Sequence, residues 1–145
     1  MVHVTRQFKV NVEQEVAVDY LKDFGNATDW DPGSVANDRL DSGPIQVGST
    51  WRNTSKLIFI NTELRYELTQ LRDNGVVFVG TNTTATSIDT IDVIPADDGN
   101  GVRVTYDANV TFNGKARYAD PFMTLIFLKL AGETVAGISR ELGKL

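Results

Sequence analysis

From Val102 to Phe112 the chain alternates without exception. Val102, Val104, Tyr106, Ala108, Val110 and Phe112 occupy one phase, and Arg103, Thr105, Asp107, Asn109 and Thr111 the other. Period two over a run this long specifies a strand with one buried face, and β-branched residues on both phases favour the extended backbone. Its register is also fixed. A slip of one residue would expose Val102, Val104, Val110 and Phe112 together, at about 1.5–3 kcal/mol for each large side chain. The chain must therefore supply strand neighbours on either side and an apolar layer over the buried face.

The rest of the sequence supplies both. Val2, Val4, Phe8, Val10 and Val12 alternate with His3, Thr5, Gln7 and Lys9 in a first strand, with Arg6 on its inward phase. The period then changes: Val16, Tyr20, Leu21 and Phe24 recur at helical spacing up to Gly25, and Asn26–Gly33 is dense in turn formers around Trp30. Short strands are predicted over 35–40, 49–57, 62–71, 76–80 and 84–94. Asp73-Asn74-Gly75 and the Asp97–Gly101 run mark hairpin turns. After Asn113-Gly114, Asp120 is placed to cap a helix with Pro121 at its first position. That helix runs to about Gly143 and is roughly 35 Å long at about 1.5 Å per residue. The order is one strand, short helices, six strands in an antiparallel meander and a long terminal helix, read as a single α+β domain over 1–145.

Composition narrows the chemistry. The chain has no cysteine and one histidine, His3, so thiolate or multi-histidine metal sites, a Cys nucleophile and a His-based triad in the interior lack their parts. We expect no metal and no cofactor. A net charge of −5 argues against a nucleic-acid partner, since such proteins neutralise phosphates with clustered Lys and Arg. The longest apolar run, 122–131, is about half of what crossing a bilayer requires, and the N-terminus has no secretory pattern. A cytoplasmic protein without stable membrane insertion is expected.

Trp30-Asp-Pro-Gly33 after the first helix, the Gly43–Trp51 segment leading into a strand, and the Pro95–Val102 hairpin, in this order of elements, resemble the SRPBCC superfamily, the helix-grip, Bet v 1-like or START-like proteins, and within it the polyketide cyclase/dehydrase-like branch. The resemblance covers essentially the whole chain. It implies a curved seven-stranded antiparallel sheet around the C-terminal helix, two short helices between strands 1 and 2, and an internal cavity for an apolar or amphiphilic small molecule such as a lipid or polyketide.

The residues agree that something besides a dry core lies between sheet and helix. If Trp51 faces inward, Asn53 and Ser55 do too, and buried polar groups need partners that a cavity, a bulge or a strand end would supply. Strand phase points Trp51, Asn53, Tyr66 and Tyr106 towards a ligand, and helix spacing does the same for Met123, Ile126, Phe127 and Leu130. Trp30 and Tyr118 would close the two ends, with Trp30 serving equally as a hydrophobic plug. Arg6 is read either as an anchor for an acidic ligand group or as an edge-strand arginine whose head reaches water. Asp89 and Asp92 are read as exposed acids flanking turns, the alternative being a carboxylate in the cavity. The first half of the last helix is apolar nearly all round, so Leu125 and Leu128 are either buried, line a subunit interface such as a homodimer contact, or touch a membrane transiently.

Three functions follow as expectations. The first is binding of a small hydrophobic ligand without catalysis. The second is a cyclase- or dehydratase-like enzyme, with Tyr66 or Tyr106 as general acid and an inward Asp89 as base. The third is an interaction protein with a vestigial cavity. Catalytic residues are left unassigned.

Overall fold

Seven strands form one antiparallel sheet in the order β1-β7-β6-β5-β4-β3-β2, in a computed structural model that describes residues 1–57, 60–114 and 120–145. The strands are β1 (Val2–Val10), β2 (Ser34–Arg39), β3 (Thr50–Leu57), β4 (Ile60–Arg72), β5 (Gly75–Thr81), β6 (Ala85–Pro95) and β7 (Val102–Phe112). Sequential neighbours pair from β2 to β7, as short turns dictate, and β1 closes the order by lying against β7. Helix α3 (Asp120–Leu142) packs across the inward face, and its bounds agree with the capping signals to within a residue. Two short helices lie between β1 and β2. This is the helix-grip fold.

The alternation of β7 survives intact. Val102, Val104, Tyr106, Ala108 and Val110 are buried, while the residues between them are half-exposed or exposed. The short helical region departs from the pattern. Helix α1 (Gln14–Leu21) ends before Phe24 and buries Ala17, Val18 and Leu21, leaving Val16 exposed. Phe24 enters the core from a separate 3-10 turn, Phe24–Asn26, where the Asp23 carboxylate accepts the Gly25 N–H. Helix α2 (Ala27–Trp30) follows at once. Glycine allows it to meet α3: a Cβ on Gly137 would lie 2.2 Å from the Trp30 carbonyl oxygen.

The core has two parts. The larger gathers Phe24, Trp30, Trp51, Phe78, Ile91 and Ile138 beneath the short helices. There Phe24 stacks on Tyr66 at 4.3 Å and packs on Phe78 at 4.8 Å, with Trp51 at 6.1 Å. The smaller part joins Val2, Val4, Val110 and Ala131 at the other end of the sheet, with Phe112, Met123 and Phe127 against it. No helix among the described residues is long and apolar enough to cross a membrane.

Candidate functional site

A cavity of about 510 Å³ opens between the N-terminal half of α3 and the concave sheet face. Its origin can be followed along one strand. The inward phase of β6 reads Ala85, Ser87, Asp89, Ile91, Val93: bulky where it meets the aromatic core, small or polar where it faces the first turns of α3. On β7 the same phase narrows to Ala108 between Tyr106 and Val110. Small side chains under a helix leave volume that close packing would otherwise remove. Met123, Ile126, Phe127 and Leu130 form the roof, and Val2, Val4, Val110 and Phe112 floor the far end.

The polar groups collect in one region of this apolar wall. Asp89 is buried, with 8% of its surface exposed, and accepts the Ser87 hydroxyl at 3.0 Å. The Tyr66 hydroxyl is near enough to favour its charged form as well. Gly80 makes that reach possible. Tyr66, Gly80, Ser87 and Val110 share one cross-strand row, and a Cβ on Gly80 would sit 2.5 Å from the Tyr66 ring. The ring therefore lies over the glycine and sends its hydroxyl towards β6. Tyr106, also buried, lines the cavity, and its hydroxyl has no hydrogen-bond partner among the described residues.

A second carboxylate, Asp31, reaches the same cavity from the turn after α2. Its oxygens accept the Gly33 N–H and the Ser34 hydroxyl, each at 2.9 Å. The residue keeps part of its surface exposed, yet desolvation of its carboxyl raises the pKa above the usual carboxylate range. Burial pushes Asp89 up to about 7, with the Asp31 charge adding to the shift against the opposing Ser87 and Tyr66 hydrogen bonds. Tyr66 and Tyr106 are both held well above the ordinary phenol value, first by burial and then by the Asp89 charge. Both phenols therefore remain donors at neutral pH, while Asp89 sits near the midpoint of its titration.

Of the ten residues expected at a ligand site, Tyr66, Tyr106, Met123, Ile126, Phe127 and Leu130 line the cavity. Trp51 does not. It is 1% exposed behind the wall, edge-on to Phe78, with the Arg39 guanidinium 5.6 Å from its ring centroid. Asn53 shares its inward phase but is satisfied within the sheet, its amide donating to the Ser34 hydroxyl and to Asn37 Oδ1 at 2.9 and 2.6 Å. The β2–β3 pairing shifts register between Ser34 and Ala36. Ser55, one pleat further, donates to Asn53 and does line the cavity. Trp30 is the plug, buried edge-on against Phe24, and not a cavity residue. Tyr118 lies outside the described residues.

The reading of Asp89 as an exposed acid is overturned. Both phases of β6 carry isoleucine, Ile88 and Ile94 on one and Ile91 on the other, so hydrophobicity alone did not choose between them; pairing with Phe78 and Ala108 does. Ile88 and Ile94 are the exposed ones. Asp92 lies on the outer phase, within 3.2 Å of Arg72. Asp31 carried no signal, because its segment reads as a turn. Arg6 lies opposite Tyr106 in register, but on the edge strand, where its guanidinium donates to the Thr5 carbonyl and does not line the cavity. Leu125 and Leu128 are exposed on the outer side of α3, not buried. No cluster of His, Asp or Glu among the described residues is arranged to hold a metal ion.

A family model described as polyketide cyclase / dehydrase and lipid transport matches residues 1–145. No curated protein matches the chain in sequence. Among solved structures, a START superfamily protein from Mycobacterium smegmatis superposes with a TM-score of 0.79 at 10% identity, covering 98% of this chain and 97% of that one. The Zhui aromatase/cyclase from Streptomyces sp. R1128 gives 0.77 at 12% identity, over 97% and 92% of the two chains. Ginseng major latex-like protein 151 from Panax ginseng gives 0.71 at 11%, over 97% and 96%. At these identities the likeness is one of fold.

Proposed function

The chain belongs to the polyketide cyclase/dehydrase and lipid transport family, and from that premise we propose that it is a cytoplasmic protein whose cavity holds an apolar or amphiphilic small molecule, lipid- or polyketide-like. The observation that carries this reading is the cavity itself. At about 510 Å³ it falls in the range of small-molecule pockets, roughly 300–1,000 Å³, and its walls are mostly apolar with a few polar groups gathered together. Small side chains at Ala85, Ala108 and Ala131 keep that volume open. The absence of cysteine suits a reducing compartment.

Native mass spectrometry of freshly purified protein, compared with a denatured control, tests the reading. A retained small molecule released on denaturation supports it. Protein that carries nothing, and that takes up none of a panel of apolar probes, removes it.

A second reading is favoured by one observation, the convergence of Asp89, Tyr66 and Tyr106 on a single cavity. A carboxylate near the midpoint of its titration can abstract a proton at neutral pH, and a phenol can return one to a developing oxyanion. That pairing suits a cyclase- or dehydratase-like reaction on an enolisable substrate. Deuterium exchange at the activated carbon of a β-diketone probe would report it, with a rate rising through about pH 7 and lost in Asp89→Asn. Equal exchange by wild type and variant would rule it out.

On the opposite side of α3, exposed Leu125 and Leu128 offer a surface for self-association. Sedimentation of the wild type against Leu128→Glu tests the homodimer, which a monomeric wild type excludes.

A further inference from the structure

We infer that the cavity takes an apolar molecule with a positively charged end, a protonated amine, and discriminates against carboxylates and phosphates, with Asp89 and Asp31 holding that charge. The inference rests on the cavity being a ligand site and names the class of ligand.

It begins with where the charges are. The chain has 14 Lys and Arg residues, yet none lines the cavity among the described residues, while two carboxylates do. Among the described residues, the groups that line the cavity around Asp89 are neutral or acidic. Its own strand supplies Ser87, and β4 supplies Tyr66. Its cross-strand partners are Phe78 on β5 and Ala108 on β7. The neighbouring charges that act on it, Asp31 and Asp107, are both acidic. Across the cavity, α3 presents Met123, Ile126, Phe127, Leu130 and Thr134, none of them titratable. Arg6 is the cation closest in register, and its guanidinium is bonded to the Thr5 carbonyl.

Hydroxyls can donate to a buried carboxylate but cannot neutralise it. A buried charge calls for a counter-charge, and the described residues of the cavity wall supply none. An ammonium group would supply it. Its N–H bonds could go to Asp89 and Asp31, and to the hydroxyl oxygen of Tyr106, which lines the same cavity. A ligand carboxylate would instead be a third acid in the same small volume, with no guanidinium, ammonium or imidazole among the described lining residues to receive it.

Ionisation gives the inference a pH signature. Asp89 is neutral well below its value of about 7 and charged above it, so an amine should bind better as pH rises through that value. Because the bound cation favours the carboxylate form, amine uptake near neutrality should also release a proton to solvent.

The experiment compares decylamine, decanol and decanoate, whose matched chains cancel the hydrophobic contribution. Titration calorimetry at pH 8 is expected to show decylamine binding about tenfold or more tightly than decanoate, with the preference shrinking at pH 5.5. At pH 7, paired buffers of different ionisation enthalpy should reveal proton release with the amine alone. Asp89→Asn, nearly isosteric, should bring the amine-to-carboxylate ratio close to one while decanol affinity stays within about twofold; Asp31→Asn should reduce the ratio part of the way. If decanol binds but decanoate binds as well as decylamine, the inference is wrong and the cavity reading stands. If none of the three binds, both fall.

Discussion

The two ends of the space between sheet and helix are built from the same strands and differ completely. Beneath the short helices, Phe24, Trp30, Trp51, Phe78, Ile91, Ile138 and Leu142 pack with little or no exposure. Beneath the N-terminal half of α3, small side chains at Ala85, Ser87 and Ala108 stand among the lining residues, and a cavity of about 510 Å³ remains. One end spends its apolar surface on stability, and the other leaves it available to a ligand. Tyr66 stands at the boundary, its ring stacked on Phe24 and its hydroxyl turned to Asp89.

The widest separation between the two ends is expected from truncating phenylalanines. Phe24→Ala should cost about 3–5 kcal/mol, since it empties the centre of a packed aromatic group. Phe127→Ala, at a half-buried side chain that already borders empty volume, should cost about 1 kcal/mol or less. Urea denaturation of both variants checks this, and equal losses would erase the distinction.

Asp89 sharpens the comparison, because it is a charge placed where the solid end would tolerate none. Its folded-state value of about 7 lies above the unfolded value near 4. The fold therefore prefers the protonated acid, and this contribution to stability is fully present below about pH 4 and lost as pH rises through 7. Asp89→Asn is expected to stabilise the protein by on the order of 2–4 kcal/mol at pH 8 and hardly at all at pH 4. Thermal melts across that range would show whether the gain follows the titration.

Adding volume should separate the ends in the other direction. Ala27→Leu, at a fully buried position beneath the short helices, should cost about 1–3 kcal/mol by overpacking. Ala108→Leu projects into the cavity and should leave stability within about 1 kcal/mol while weakening ligand binding at least about tenfold. Chemical denaturation and probe titration on the same two variants give both numbers.

The smallest effect belongs to Tyr106→Phe. Its hydroxyl has no partner among the described residues to lose, so stability should change by about 0.5 kcal/mol or less. A ligand that bonds to the phenol should lose about 1 kcal/mol of affinity, some fivefold in Kd. An unaltered Kd for every ligand that binds would show that the hydroxyl is idle.

Legibility differed by element for physical reasons. The alternation of β7 and β1, the hairpin turns and the Asp120-Pro121 start of α3 are local patterns, and each led to the observed element. So did the inward phase of Tyr66 and Tyr106 and the helix stripe through Met123, Ile126, Phe127 and Leu130. Phase states which way a residue points and is silent on what stands opposite. Trp51 and Asn53 point inward as expected, yet one meets Phe78 and the other meets Ser34 and Asn37, so neither reaches the cavity. Asp31 and Asp89 were illegible for related reasons: a turn residue has no phase, and a strand with isoleucine on both faces has two.

The sequence by itself determined the order of elements and the buried face of most strands, because these depend on period and turn residues. Tertiary structure alone decided where the interior is full and where it is hollow. That choice depends on which side chains meet across a curved sheet, as when Gly80 lets the Tyr66 ring lie over it towards Ser87 and Asp89. It also brought two carboxylates from distant segments into one cavity with no cation among the described residues lining it. Their charge is a property of the folded surroundings, since burial raises the pKa of both and the nearby Asp31 charge adds to that of Asp89.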